Sequence, residues 1–189
     1  APPRNAATRV SYVIATADDF PVRAGGYDCI ASLLALNFFS DPVGAVRRMN
    51  ASLSGRGIVA ACVWDYGNGM QYLRTFWDAA KVISRDAAAV DEGVRFPICD
   101  PDHLRRLLRE AGFGAVQCDA LDLPTRFSSF EDYWAPLLGG TGPAPSFVAA
   151  LDRAAQSQLR RELEQRLPIA ANGSIELTAR AWAVRGVKT

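Results

Sequence analysis

Residues 27–36, Tyr27-Asp28-Cys29-Ile30-Ala31-Ser32-Leu33-Leu34-Ala35-Leu36, make a nearly continuous apolar run behind Gly25-Gly26. A second such run, residues 57–64 (GIVAACVW), lies further along the chain. Neither alternates polar with apolar residues, which is the pattern of strands buried on both faces. Between them Asp41-Pro42 supplies an N-cap and a proline at the first helical position. Val43, Val46, Met49 and Leu53 then fall near one helical face before Gly55 and Gly57 stop the helix. A strand, a helix and a second strand in this order predict parallel neighbours in one sheet, joined by a right-handed crossover and covered by helices.

On the N-terminal side, residues 9–14 (RVSYVI) are β-branched and aromatic and predict a strand, closed by the loop Asp18-Asp19-Phe20-Pro21. On the C-terminal side, Leu73, Phe76, Trp77 and Ala80 make a helical stripe within residues 70–83. Asp100-Pro101 repeats the cap-plus-proline start, Leu104, Leu107, Leu108 and Ala111 share one helical face, and Gly112 ends that helix. A strand over residues 115–123 is expected to stop at Pro124. Phe130, Tyr133, Trp134 and Leu137 predict a short amphipathic helix, with Ser129 and Asp132 in capping-box spacing. Residues 146–167 read as one long helix, and residues 175–184 alternate cleanly, as a half-exposed antiparallel strand at or near an edge would. The fold class is therefore α/β, a mostly parallel sheet with an antiparallel last strand.

Composition excludes several classes of function. Of 189 residues, 49% are hydrophobic and 22% charged, which predicts a single globular domain with a real core. Twenty-one basic against twenty acidic residues leave a charge of +1, and no aromatic-basic stripe favours a nucleic-acid partner. Cys29, Cys62, Cys99 and Cys118 stand singly, without the paired spacing of zinc or redox motifs, so no metal is expected. His103 is the one histidine, which argues against His-dependent triads and multi-His sites. No apolar run approaches the length of a membrane span and no signal peptide is indicated, so a cytoplasmic protein with reduced thiols is expected.

In open α/β sheets ligands bind beyond the carboxyl ends of the parallel strands. Those ends gather Thr16, Asp18, Ser32, Asn37, Trp64, Asp65 and Tyr66. Their order, together with Asp41-Pro42, Gly55-Arg56-Gly57, Arg95-Phe96-Pro97, Ala111-Gly112-Phe113 and the closing residues 180–186 (RAWAVRG), resembles the part of class I S-adenosylmethionine-dependent methyltransferases of the type 11 group that follows their second motif. The resemblance covers nearly the whole chain. It implies a Rossmann-like sheet and S-adenosylmethionine as cofactor, contacted at Thr16, Ala17, Asp18, Ser32, Leu33 and Asn37. It also implies a small-molecule acceptor between Trp64, Asp65, Tyr66 and Trp134, and nominates no catalytic residue.

Two departures from the family pattern shape the expectations. The family opens with a strand and a glycine-rich loop for the methionine portion of the cofactor, then a second strand with an acidic residue for the ribose; the fifteen glycines here contain no such cluster. At the adenine corner a carboxylate is replaced by Ala15-Thr16. The expectation is a partial methyltransferase-like domain over residues 1–189, with its N-terminal strands missing and a helical insertion at about residues 125–170. Methyl transfer would then require completion by the missing segment. The alternative is a truncated, non-catalytic relative serving as a binding or self-associating module, a homo-oligomer formed through the uncovered edge of the Tyr27 strand. Simpler roles stand beside each site residue: Trp77 and Trp134 as core, Asp65 as a turn residue, Ser32 and Asn37 as loop caps.

Overall fold

The computed structural model describes residues 10–189. Its first strand, β1 (Tyr27–Leu33), leads through a 3-10 turn at Leu36–Phe38 into α1 (Pro42–Ser52), whose N-terminus Asp41 caps by accepting a hydrogen bond from the Gly44 N–H. Then come β2 (Leu53–Trp64), α2 (Gln71–Ile83), two short helices α3 (Ala87–Val90) and α4 (Glu92–Arg95), α5 (Pro101–Glu110) and β3 (Phe113–Phe127). Helices α6 (Phe130–Trp134), α7 (Pro143–Ala150) and α8 (Arg153–Arg166) precede the last strand, β4 (Ile175–Lys188).

The four strands form one sheet in the order β1-β2-β4-β3. β1 and β2 pair in parallel, and β4 runs antiparallel to both its neighbours. Three strands therefore point one way and only the last points back, giving the Rossmann-like α/β arrangement. β4 lies inside the sheet between β2 and β3, because its alternating small residues allow covering on one face and partial exposure on the other. Gly26, at φ +80°, delivers the chain to β1 where any Cβ would collide with the backbone of Leu53 and Ser54.

Three expectations are corrected. Of the strand predicted at residues 9–14, Arg9 lies outside the described residues and Val10 to Ile14 form no strand, with Tyr12 94% and Ile14 105% exposed. β-Branched residues favour a strand only where a ladder receives them, and none does here. β3 does not stop at Pro124 but continues to Phe127, since an edge strand tolerates a residue without an N–H. The helix predicted over 146–167 is broken at Leu151, which is extended, and Asp152 caps α8 by accepting from the Ala155 N–H.

Two cores result. Helices α1 and α5 cover one face of the sheet, where Val46, Met49, Leu104 and Leu108 meet Val59, Val63 and Val184. The β3–β4 ribbon runs past the end of β2, and there Ile175 and Leu177 pack against Phe76, Trp77, Tyr133 and Leu159 of α2, α6 and α8. Among the described residues no element covers the face of β1 and β2 opposite α1 and α5, which carries a shallow depression of about 470 Å³ between Ala31, Leu33, Ala60, Cys62, Ala183 and Arg185.

The short helices α3 and α4 are fastened by one buried carboxylate. Asp91, fully buried, receives a two-pronged hydrogen bond from Arg74, an ion pair from Lys81 at 2.8 Å and the Gly93 N–H at 2.8 Å. Burial by itself would raise the Asp91 pKa, but these donors outweigh it and hold the carboxyl below its ordinary range. The stabilisation is therefore fully present above the unfolded carboxyl pKa and is lost as pH falls through the lower folded value. Asp91→Asn is expected to cost ~2 kcal/mol in urea unfolding at neutral pH, with the deficit shrinking below about pH 4.

Candidate functional site

The candidate site is built where β1 and β2 end. Leu34, just past β1, takes a left-handed φ of 53°, a costly conformation for a branched side chain that turns the backbone sharply into the Leu36–Phe38 turn. Across from it, the segment preceding β1 is anchored at three points. The Tyr27 hydroxyl donates to the Pro21 carbonyl at 2.7 Å, Arg48 of α1 donates to the Phe20 carbonyl at 2.7 Å, and the Arg48 guanidinium stacks 5.1 Å above the Phe20 ring. The Asp19 N–H closes a turn onto the Thr16 carbonyl at 3.2 Å.

These anchors hold Thr16 and Ala17 opposite the C-terminal half of β1. Between them lies a cavity of about 410 Å³, lined by Thr16, Ala17, Phe20, Ser32, Leu33 and Phe39. Four of the six residues expected on the cofactor side thus face one cavity. Asp18 is exposed and does not line it; Asn37 is buried in the 3-10 turn, also outside the lining. The Ser32 hydroxyl and the Asn37 amide nitrogen are both buried without a hydrogen-bond partner among the described residues. Unpaired polar atoms of this kind cost stability unless something binds them.

At the end of β2, Trp64 is half-buried and Asp65 only 3% exposed. The Asp65 carboxylate accepts from the Asn68 N–H at 3.0 Å and its backbone carbonyl accepts from Gly69 and Met70, so the simple turn role is real. Its second carboxylate oxygen has no partner among the described residues. The Tyr66 ring lies 5.7 Å from that of Phe96, which in turn meets Phe38 edge-on at 5.2 Å. Phe96 thereby ties the end of β2 to the turn after β1. Burial, then the nearby Cys99 and Glu92, push the Tyr66 hydroxyl up to about 12. Burial likewise raises the Glu92 carboxyl, even though Trp77 Nε1 donates to it.

The structure does not bring Trp134 to this group. It is 5% exposed in the core beneath α8 and stacks on Phe130, because the stripe of α6 faces inward. Sequence reasoning passed over Arg74, Asp91, Glu92 and Cys99, which crowd behind Tyr66; a carboxylate pair beside an Arg on a neighbouring helix was the available signal.

No family model matches the sequence, and no curated protein does. Solved structures do. The YcgJ protein of Bacillus subtilis is 16% identical, over 92% of this chain and 69% of that one, at a TM-score of 0.50. A Haemonchus contortus phosphoethanolamine N-methyltransferase 2, solved with phosphomonomethylethanolamine and S-adenosylhomocysteine, is 14% identical over 95% of this chain and 37% of its own, also at 0.50. The 4+2 cyclase SpnF is 19% identical over 98% and 60%, again at 0.50. The chain thus spans between 37% and 69% of these neighbours' lengths. At such identities the likeness shows the fold alone, a Rossmann-like α/β fold shared with a solved methyltransferase. Among the described residues no helix is long and apolar enough to cross a membrane.

The thiols report on the packing behind the site. Cys29 is exposed, whereas burial and the charge of Asp65 push the Cys99 thiol up to about 12. A disulfide exchange reagent at mildly alkaline pH is expected to label Cys29 rapidly and Cys99 only after denaturation, as read by mass spectrometry.

Proposed function

We propose that this chain is part of an S-adenosylmethionine-dependent methyltransferase acting on a small-molecule acceptor. The observation that carries the reading is the cavity between Thr16-Ala17 and the end of β1, largely apolar and bordered by the buried, unpartnered Ser32 hydroxyl. Its size and lining suit a flat heterocycle such as adenine. Thr16 would contact the ring in place of the family's carboxylate, Ser32 and Leu33 would form the floor, and Asn37 would offer its unpaired amide nitrogen. Asp18, exposed at the rim, would approach the ribose side. The cofactor, when bound, supplies an electrophilic methyl group. The chain's own contribution is orientation, which by itself accounts for much of the rate in transfers of this type. Trp64, Asp65 and Tyr66 would hold the acceptor, the Asp65 carboxylate accepting a hydrogen bond through its free oxygen and the Tyr66 hydroxyl, protonated at neutral pH, donating one. The glycine-rich loop that the family uses for the methionine portion has no counterpart in these 189 residues, so the residues present fit the adenine end only.

In this reading residues 1–189 form a single, partial domain, the helices between β3 and β4 are its insertion at about residues 125–170, and the chain works in the reducing cytoplasm with its four cysteines free. A second reading, a non-catalytic self-associating module, is favoured by one observation: β1 pairs with β2 alone among the described residues, leaving its other edge open.

A native-state ligand raises stability by mass action, about 2.7 kcal/mol at a hundredfold excess over Kd. S-adenosylmethionine and S-adenosylhomocysteine are expected to raise the melting temperature saturably, and no response at millimolar ligand would overturn the cofactor reading. Thr16→Asp, which restores a carboxylate at the adenine corner, is expected to tighten that binding, read as a lower midpoint of the same titration.

A further inference from the structure

Residues 15–26 run from the rim of the Thr16 cavity to the start of β1 without helix or strand, so the hold on this wall has to come from outside the segment. Helix α1 provides it. Met49 of α1 is buried and lines the cavity, and Arg48, next to it in the chain, grips a second lining residue, Phe20. The grip has two parts: Arg48 Nη2 donates to the Phe20 carbonyl at 2.7 Å, and the guanidinium carbon lies 5.1 Å from the centre of the Phe20 ring. Carbonyl and ring leave the residue in different directions, so holding both fixes its place and its rotation together. Among the described residues no other side chain donates a hydrogen bond to residues 15–20, and the Tyr27 hydroxyl reaches only Pro21. The Asp19 N–H closes the turn onto the Thr16 carbonyl, so a fixed Phe20 carries Thr16 with it.

We infer that Arg48 is a positioning residue for the adenine of the cofactor, acting through Phe20 to keep the wall that bears Thr16 one planar ring away from the end of β1. This rests on the adenine reading of the cavity and adds to it the residue that sets the cavity's shape. The charge of Arg48 is the lesser part of its action, because its ionic partner, the Asp19 carboxylate, lies 3.8 Å away on a side chain 94% exposed, where an ion pair contributes little. The flat face and forked donors of the guanidinium do the rest, stacking on a ring and reaching a carbonyl at once. A lysine at this position would keep the charge and a donor but has no plane to lay on the ring. The wall would then spend part of its time out of place, and affinity would fall in proportion to the fraction of molecules with the cavity formed.

Equilibrium dialysis with S-adenosylhomocysteine, beside hydrogen exchange of the free chain, tests this. Arg48→Lys is expected to bind about tenfold more weakly, the loss that follows when the wall is in place about a tenth of the time. Its Asp19 amide is expected to exchange faster while the amides of β1 and β2 keep the wild-type rate, a local change that general destabilisation does not produce. Asp19→Asn is expected to bind within about twofold of the wild type. Phe20→Leu is expected to weaken binding and to leave Arg48→Lys little further effect, so the double variant loses far less than the product of the two single losses. Circular dichroism at the dialysis temperature checks that each chain is folded. A wild type without saturable binding at millimolar ligand would overturn the adenine reading and the role of Arg48 with it. A wild type that binds, with Arg48→Lys within twofold of it, would overturn the role of Arg48 alone. Single losses that multiply in full in the double variant would overturn its action through Phe20.

Discussion

The antiparallel pairing of β4 with β2 holds the molecule together. Ile58 to Trp64 match Val187 back to Ala181 residue for residue, and on its far side β4 carries the whole of β3. Without this strand, β1 and β2 would be a two-stranded parallel fragment, and β3 would have no strand to pair with. The last strand of the chain is thus the one that unites the sheet, and pairing β2 with β4 closes a loop of more than a hundred residues. Long closures of this kind slow folding more than they weaken the product.

Chemistry and architecture meet at one end of that sheet. The parallel pair β1 and β2 ends beside the anchored turn at Thr16, and the backbone reversal at Leu34 clears space beyond the strand. Ser32, Asn37 and Asp65 each keep a buried polar atom without a partner, all of them at strand ends or in the turn that follows. The α2 core, by contrast, satisfies the Trp77 and Tyr133 side chains, which donate to Glu92 and to the Tyr72 carbonyl. Arg48 Nε, Arg74 Nε and Trp182 Nε1 are unpartnered as well, but the three at the strand ends are the ones that gather where the fold offers contacts.

Much of this was legible in the residues. Asp41-Pro42 and Asp100-Pro101 mark the starts of α1 and α5, and the unbroken apolar runs mark β1 and β2, because caps and burial act locally. The failures share one cause, which is that the partner of a segment is set by tertiary structure. Residues 10–14 have strand composition but meet no neighbour, and Pro124 looks like a terminator until its strand proves to be an edge. Leu151 fits a helical stripe, yet Asp152 captures the Ala155 N–H and starts a new helix. At the site, Ser32 and Leu33 were readable as strand-end residues, whereas the role of Phe96 as a clasp between two strand ends depends on a loop path that periodicity does not encode.

Pro124 makes the two borders of the sheet unequal. On the β3 side it removes a donor, and the irregular register between Gly114 and Gln117, with Asp119, Asp122 and Arg126 nearby, leaves a border that is uneven and charged. β1, by contrast, is short and mostly apolar, with its one register shift at its start, between Tyr27 and Cys29. A foreign strand arriving at the β3 border would meet a missing donor and a row of charges, so that border resists the edge-to-edge stacking by which exposed strands become fibres.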